Sequence, residues 1–300
     1  MKNPEVSVVI PVYNTGIILQ ETINSVLNQT FTDFELIIVD DGSTDPVTLD
    51  ILKNQRDGRI RIIHQVNGGV AAARNRGIAG AKGKYTAFLD HDDLFLPEKL
   101  KMSKEFMEKH PGCISVYSRI IPRGEDNGSF LELPVMERIN FPELLNRNLI
   151  YSMSCVMVRM ALIKKYRITF DPECVPCDDW DFHLQCALHG EICSLAHPVT
   201  EYRFYEGNQS KDQEKMYLAG IRTIHKYRKN LKYFARISNV PMRILRSAVR
   251  FALSEHHYGI AFQYFCRKNY RNALIHVAKA CFYRPFSPKL FNFIRKNIRI

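Results

Sequence analysis

The sequence predicts an α/β fold, with a mostly parallel sheet flanked by helices and a basic helical C-terminal region. Strand and helix signals alternate over roughly the first 120 residues, as they do where crossover helices connect parallel strands. From about Lys211 the strand signals vanish, and basic helical segments follow to Ile300. The chain has 300 residues, 46% of them apolar, which suits one large α/β domain with an appendage.

Four apolar runs in the first part of the chain predict the parallel strands. They are Val6–Ile10, ending at Pro11; Phe34–Val39, ending at Asp40-Asp41-Gly42; Ile60–Ile63; and Tyr85–Leu89, followed by Asp90-His91-Asp92-Asp93. Short runs rich in β-branched residues and bounded by turn-forming residues are typical of buried strands. The sequence therefore predicts four strands whose carboxyl ends carry polar groups.

Helical signals fill the gaps between these strands. Leu19, Ile23 and Val26 recur at helical spacing, and Asp45 before Pro46 is typical of a helix N-terminus. An alanine-rich helix is predicted over 70–81 after Gly68-Gly69, and a further helix from Pro97 towards Lys109. Each strand is thus followed by a crossover element.

The alternation fails in the middle of the chain. Cys113–Arg119, Ser154–Val158 and Ile192–Leu195 are predicted strands, Asp179–Leu188 is a predicted helix, and 121–135 is predicted to be a polar loop. We therefore expect one α/β domain over 1–210, with halves at 1–110 and 111–210, and a helical basic region over 211–300.

The charge and the cysteines limit the function classes. A net charge of +11 indicates an acidic partner: nucleotide phosphates, anionic lipid head groups or nucleic acid. Eight cysteines in a chain without a signal-peptide pattern favour free thiols. A zinc site at Cys174 and Cys177 with Cys186 and Cys193 is the alternative, although the spacing fits no standard finger.

The hydropathy pattern predicts a cytoplasmic protein, with the inner face of a membrane as an alternative location. No run reaches the ~18 apolar residues that a membrane span needs, and the N-terminal segment has no signal-peptide pattern. Aromatic and basic residues are interleaved in the C-terminal segments, which suits either packing on the first domain or attachment to an anionic membrane surface.

The chemistry is expected at the carboxyl ends of the strands, where open α/β sheets bind ligands. Asp90 and Asp92 offer the oxygen ligands that Mg²⁺ and Mn²⁺ prefer, although an Asp-rich turn that caps a helix is the alternative. Asp40-Asp41 is either ordinary turn chemistry or a contact to a base and ribose. Arg74 is either a surface residue or a nucleotide contact.

Four blocks of the sequence resemble the family 2 glycosyltransferases with the GT-A fold. The blocks are Ser7–Asn14, Ile37–Asp45, Asn67-Gly68-Gly69 with Ala73–Gly77, and Phe88–Asp93; a weaker fifth block is Asp178–Asp181. Their order and spacing also agree with the family. The resemblance implies a nucleotide-sugar-binding half over 1–110 and an acceptor half over 111–210.

The resemblance also implies a role for each matching residue. It implies that the nucleobase and ribose of the donor are held by Pro11, Tyr13, Asp41 and Arg74. Asp90 would contact the ribose or the metal shell, Asp92 would bind the metal, Mn²⁺ or Mg²⁺, and Asp179 would be the catalytic base. Transfer would invert the anomeric carbon, with a UDP-sugar as donor and a glycan or lipid-linked glycan as acceptor, in cell-surface polysaccharide or glycan synthesis.

Two positions depart from the family pattern. Asp178 stands where the family usually has glutamate, and Tyr205 stands in a block that often carries histidine.

Two functions other than sugar transfer stay open: a basic protein that binds nucleic acid or a membrane surface, and a glycosyltransferase-like protein without activity. The sequence shows no nucleic-acid motif, and the acidic positions are intact, so we expect a nucleotide-sugar partner and no nucleic acid.

Overall fold

The computed structural model describes residues 3–124, 136–204, 211–285 and 287–297. In this part of the chain nine strands form one sheet, in the order β3-β2-β1-β4-β8-β6-β9-β5, with β7 beside β9. The strands are β1 Val6–Val12, β2 Phe34–Asp40, β3 Ile60–His64, β4 Tyr85–Phe88, β5 Leu94–Phe95, β6 Cys113–Gly124, β7 Arg138–Ile139, β8 Val156–Arg159 and β9 Glu191–Phe204.

Twelve helices accompany the sheet in the described residues. They are α1 Ile18–Leu27, α2 Pro46–Lys53, α3 Val70–Gly80, α4 Lys99–Lys109, α5 Phe141–Asn146, α6 Met160–Tyr166, α7 Asp178–Ala187, α8 Gln213–Lys229, α9 Leu231–Ser238, α10 Met242–Cys266, α11 Tyr270–Tyr283 and α12 Pro288–Asn297. The predicted α/β fold with a helical C-terminal region is confirmed. No helix in the described part of the chain is long and apolar enough to cross a membrane.

The chain divides into two compact units. The first comprises Met1–Asn140, Leu149–Pro172 and Gln185–Glu206, and the second comprises Phe141–Asn148, Glu173–Leu184 and Gly207–Ile300. The first contains the whole described sheet, and the second is helical. The functional halves expected within 1–210 stay a prediction.

The core of the first unit lies on the apolar faces of the parallel strands. β1, β2, β3 and β4 pair in parallel, and the β1 side chains are buried throughout. Leu19, Ile23 and Val26 form the apolar face of α1 that the sequence predicts. They are buried in the same core as the strands. The second unit has a small core of its own between α10, α11 and α12, which includes Val277 and Phe293.

Two strands continue through a proline, contrary to the sequence prediction. We expected β1 to end at Pro11, and we expected Pro122 to lie in a loop rather than in β6. β1 continues through Pro11, and β6 continues through Pro122 into the predicted loop, of which 125–135 lie outside the described residues. Beyond Val9 β1 has no strand partner on its β4 side, and beyond Tyr117 β6 has none on its β8 side. A proline is tolerated in a sheet where its missing N–H faces no partner strand.

The expectation of free thiols is wrong for one pair. Cys113 of β6 and Cys193 of β9 form a disulfide, with 6.2 Å between their Cα atoms. These strands pair in parallel, which brings together two buried cysteines that lie 80 residues apart in the sequence. Cys193 is therefore not available for the alternative zinc site, and Cys174, Cys177 and Cys186 are buried and belong to no disulfide of the described residues.

Candidate active site

Polar groups at the ends of three neighbouring strands share one edge of the sheet. β1 lies between β2 and β4, and the register pairs Val12 with Asp40 and Val9 with Phe88. Because all three strands are parallel, their carboxyl ends point the same way. Tyr13, Asp41 and the Asp90–Asp93 segment therefore leave the sheet at the same edge, as the sequence predicts.

Asp40 and Asp41 are both buried and both find partners within the chain. Asp40 accepts from the Ser43 N–H at 3.0 Å and contacts His64 Nδ1 at 2.9 Å. Asp41 accepts from the Gln65 amide at 2.7 Å and from the backbone N–H groups of Gly68 and Gly69, each at 2.8 Å. These bonds fix the loop that leads into α3, so neither carboxylate requires a nucleotide to offset its burial.

Glycine is required at the turn beside Asp41. Gly42 has a φ of +77°, and a Cβ there would lie 2.9 Å from the backbone nitrogen of Asn67. Side chains adopt this left-handed region at a steric cost, and the space is already filled by backbone. The Asp-Gly sequence at this strand end therefore serves close packing between two loops.

Arg74 is a buried link between α3 and the end of β4. Its side chain is 8% exposed and donates to Asp90 Oδ1 at 2.6 Å. The guanidinium also lies over the Phe170 ring, 5.3 Å from its centroid. The interpretation of Arg74 as a surface residue is therefore wrong. A buried arginine bound to one carboxylate oxygen holds Asp90 in a fixed position.

Asp93 is the last residue of the Asp-rich turn and is almost completely buried. It accepts from the Ser154 hydroxyl at 2.6 Å, from the Ser152 hydroxyl at 3.4 Å and from the Arg203 N–H at 3.1 Å. Burial raises the pKa of Asp93 well above its usual value, and the nearby carboxylates of Asp92 and Asp90 raise it further. The raised pKa favours the protonated form of Asp93, which leaves Asp90 and Asp92 as the half-buried carboxylates of the turn that could bind a cation.

Two serines tie Asp90 to Asp93. The Ser154 hydroxyl accepts a hydrogen bond from the backbone N–H of Asp90 at 3.0 Å and donates one to the Asp93 carboxyl. The Ser152 hydroxyl lies 3.3 Å from Asp90 Oδ2. The serine turn is itself held by Lys99, which donates to the Cys155 carbonyl at 2.6 Å. Burial lowers the pKa of Lys99 to about 8.

Sequence reasoning missed these supporting residues. The only signal for Ser152 and Ser154 was the presence of two serines in a stretch of mostly apolar residues. Nothing in the sequence connected Lys99 or Arg203 with the Asp-rich turn, because their bonds cross long chain separations.

The remaining residues of this edge are arranged around β1. His91 Nδ1 lies 3.3 Å from the Pro11 carbonyl, which joins the ends of β1 and β4. Asn14 accepts from the backbone N–H groups of Thr44 and Asp45, at 2.8 and 2.9 Å. Tyr13 is 46% exposed and Asp92 is half-buried, so both side chains remain accessible to a ligand.

The second acidic cluster begins α7 in the second unit. Trp180 is buried and donates its indole N–H to the Leu144 carbonyl at 2.7 Å. Asp181 is fully buried and binds the Lys226 ammonium at 2.8 Å and the Tyr227 hydroxyl at 3.0 Å. Asp178 is also buried, whereas Asp179 is half-buried at the first turn. The helix start is therefore anchored by its neighbours, with Asp179 as its most exposed carboxylate.

The structure brings together some of the predicted site residues. Pro11, Tyr13, Asp41, Arg74, Asp90 and Asp92 belong to one edge of the sheet in the first unit. Asp179 belongs to the second unit, and its role as base stays a prediction. Tyr205 lies outside the described residues.

Sequence comparison identifies a protein family and several relatives that this chain resembles. Residues 7–167 match the family described as Glycosyl transferase family 2. An uncharacterized glycosyltransferase of Rickettsia bellii is 32% identical over 255 residues, covering 83% of this chain and 36% of the relative. The chondroitin synthase of Pasteurella multocida is 30% identical over 237 residues, covering 71% of this chain and 24% of that protein.

Comparison of structures identifies the fold. The structure of residues 1–349 of Staphylococcus aureus TarS in complex with UDP-GlcNAc has a TM-score of 0.67 and 19% identity, over 94% of this chain and 92% of that one. At this identity the likeness concerns the fold. The chain spans about two fifths of the length of the first curated relatives that it matches.

Proposed function

This chain belongs to glycosyl transferase family 2, and on that premise we propose that it transfers a sugar from a UDP-sugar to an acceptor hydroxyl with inversion. The main support for the proposal is the Asp90–Asp93 turn at the edge of the sheet where β1, β2 and β4 end. Arg74 and two serines donate hydrogen bonds to its carboxyl groups. A related fold holds UDP-GlcNAc in TarS, which supports a UDP-sugar donor.

The residues at the turn fit a divalent cation. Asp90 and Asp92 provide half-buried carboxylate oxygens, the ligand type that Mg²⁺ and Mn²⁺ prefer. Burial is the main cause of the raised pKa of Asp93, and the neighbouring carboxylates of Asp92 and Asp90 add to it, a contribution that a cation beside them would offset. When bound, the ion would supply positive charge for the diphosphate leaving group. Asp92 would hold the ion, and Asp90, already oriented by Arg74, would face the ribose or the metal shell.

The residues on the β1 and β2 side would bind the nucleoside. Tyr13 is exposed enough to contact a base, and Pro11 shapes the strand end below it. Asp41 already binds three donors, yet a carboxylate has lone pairs for about four, so one acceptor position remains for a base or ribose.

Asp179 would act as the base that removes the acceptor proton. Within its own unit it is the half-buried carboxylate of the cluster, while Asp181 is occupied by Lys226 and Tyr227. A general base must reach the acceptor hydroxyl, which excludes a carboxylate that is fully buried and paired. Asp178 is buried as well, so Asp179 is the better candidate of the two.

The acceptor and the place of action form the second part of the proposal. A relative named chondroitin synthase supports a glycan acceptor and a role in cell-surface polysaccharide synthesis. A lipid-linked glycan would bring the enzyme to the cytoplasmic face of a membrane, where the basic C-terminal helices would meet anionic lipid. The basic binding protein without transferase activity is less well supported, because the donor-site residues of the family are present.

A screen of nucleotide-sugar hydrolysis tests the proposed function. We expect the chain to release UDP from at least one UDP-sugar in the presence of Mn²⁺, and we expect Asp92→Ala to slow the release about a hundredfold. Release from GDP-sugars alone would overturn the choice of UDP. A protein that hydrolyses no sugar nucleotide, with or without a glycan acceptor, would contradict the assignment as an active transferase.

A further inference from the structure

The second unit contains two adjoining clefts lined by α10 and its neighbours. Their cavity volumes are about 700 and 620 Å³. Arg246 and Arg250 of α10 and Tyr283 at the end of α11 line both clefts. The two clefts are therefore neighbouring parts of one surface, which we call the arginine cleft.

The arginine cleft is strongly positive. Besides the two shared arginines, Arg228, Lys229 and Lys232 line the first part, and Arg243 and Arg284 line the second. No aspartate or glutamate is among the described residues that line either part. Clefts with charges of one sign focus the potential and attract ligands of the opposite sign.

The arginines of α10 differ from Arg267 and Lys289, two basic residues of the same unit that have acidic partners. Arg267 pairs with Glu214, and Lys289 pairs with Glu255 at 2.8 Å. Among the described residues, no carboxylate lies within ion-pair distance of Arg243, Arg246 or Arg250, and all three side chains are exposed. Like charges that crowd one helix face repel each other, so an anion bound between them would relieve that repulsion.

Aromatic side chains hold and border the cations. Arg228 donates to the Tyr283 hydroxyl at 3.2 Å, and Arg284 lies over the Phe251 ring, 4.6 Å from its centroid. Phe282 and Tyr233, which line the first part, are 78% and 60% exposed. Basic groups beside exposed aromatic rings are typical of surfaces at a membrane interface.

We propose that the arginine cleft binds the phosphate groups of anionic membrane lipids, with Phe282 and Tyr233 entering the head-group layer. Guanidinium groups match the geometry of phosphate oxygens and bind them with two parallel hydrogen bonds. The exposed rings favour a lipid over inorganic phosphate, because a bilayer offers apolar contact next to the phosphate and the free ion does not. The inference deepens the membrane attachment proposed above and does not depend on the donor site.

Sedimentation with lipid vesicles tests this site. Wild-type protein should bind vesicles that contain phosphatidylglycerol, and should bind vesicles of phosphatidylcholine alone much more weakly. Arg246→Gln with Arg250→Gln should lower the affinity for the anionic vesicles roughly thirty-fold. The matched control is Lys268→Gln with Arg271→Gln, which removes the same charge from exposed positions outside the cleft and should have a much smaller effect.

Several outcomes would overturn the proposal. Equal losses for the two double variants would show a general charge effect without a site, and unchanged vesicle binding in Arg246→Gln with Arg250→Gln would exclude the cleft. Binding of inorganic pyrophosphate or of single-stranded RNA without binding of vesicles would identify a different partner. Thermal unfolding of each variant, expected to match wild type, confirms that the fold is intact.

The outcome can be separated from that of the proposed transferase activity. Vesicle binding needs no sugar nucleotide, so it tests the cleft even if no donor is turned over. Conversely, Arg246→Gln with Arg250→Gln should leave UDP-sugar hydrolysis unchanged, because the donor-site residues lie in the first unit.

Discussion

The chemistry proposed for the donor site depends on side chains that orient its carboxylates. Asp90 has one oxygen bound by Arg74 and the other near Ser152, while its backbone N–H is bound by Ser154. Such supporting groups set the direction of metal ligands, and losing them weakens binding although the ligand itself remains. Both serines contact Asp90 and the buried Asp93, and the bonds of Ser154, at 3.0 and 2.6 Å, are shorter than those of Ser152, at 3.3 and 3.4 Å.

We predict that Ser154→Ala destabilises the protein and weakens Mn²⁺-dependent UDP binding. The change leaves the Asp90 N–H and the Asp93 carboxyl each short of a partner, which costs about 1–3 kcal/mol. Urea denaturation and UDP titration would measure the two effects. Ser115→Ala is the matched control, since Ser115 is fully buried and its hydroxyl has no hydrogen-bond partner among the described residues. Equal effects of the two substitutions would contradict the assigned role.

The strand end that carries Asp90 and Asp92 and the helix that carries Arg74 were predictable, whereas the side chains that bond to Asp90 and Asp93 from distant parts of the chain were not. Asp90, Asp92 and Arg74 stand in local sequence patterns that follow predicted strands or begin a predicted helix. The bonds of Asp93 to Ser154 and Arg203 join residues 61 and 110 positions apart. Only the tertiary fold brings such groups together, so local patterns could not reveal them.

At the scale of elements, α3 must lie close to β1. An added Cβ at Gly77 would lie 2.3 Å from Cγ1 of the buried Val9. The close approach brings α3, which carries Arg74, against the strand whose end forms the donor-site edge. Gly77 thus connects packing with the position of a site residue.

We predict that Gly77→Ala lowers the free energy of unfolding. Alanine gains about 1 kcal/mol in helix propensity, but the clash with Val9 costs about 1–3 kcal/mol, so we expect a net loss. Urea denaturation measures it. The double variant with Val9→Ala should show a favourable coupling, because the smaller side chain leaves room for the new methyl group. A Gly77→Ala protein as stable as wild type, with no coupling, would refute the close packing.

Strand lengths were the least predictable feature of the elements. Pro11 and Pro122 are strong breakers in sequence, yet both lie inside strands at points where one side of the strand has no partner. The partner strand ends nearby for reasons that the local sequence does not contain. Seven strands therefore followed from apolar runs, whereas the two-residue strands β5 and β7 were not predicted, and strand ends depended on neighbouring strands.

At the scale of the whole molecule, the change from alternating elements to basic helices was visible in the sequence. The division into two units was less so, because Phe141–Asn148 and Glu173–Leu184 belong with the helical unit. Contacts such as Asp181 with Lys226 and Trp180 with Leu144 attach these segments to it. The net charge of +11 likewise indicated an acidic partner without locating it, whereas the arginine cleft offers a specific place.

The most direct test of the donor site is calorimetric titration of UDP with and without Mn²⁺. We predict that wild-type protein binds UDP more tightly with Mn²⁺, that Asp92→Ala loses this dependence, and that Asp179→Asn keeps it while losing sugar transfer. Asp179→Asn serves as the control for removal of a carboxylate outside the metal site. If Asp92→Ala binds UDP with the same Mn²⁺-linked affinity as wild type, the assignment of the metal site is contradicted.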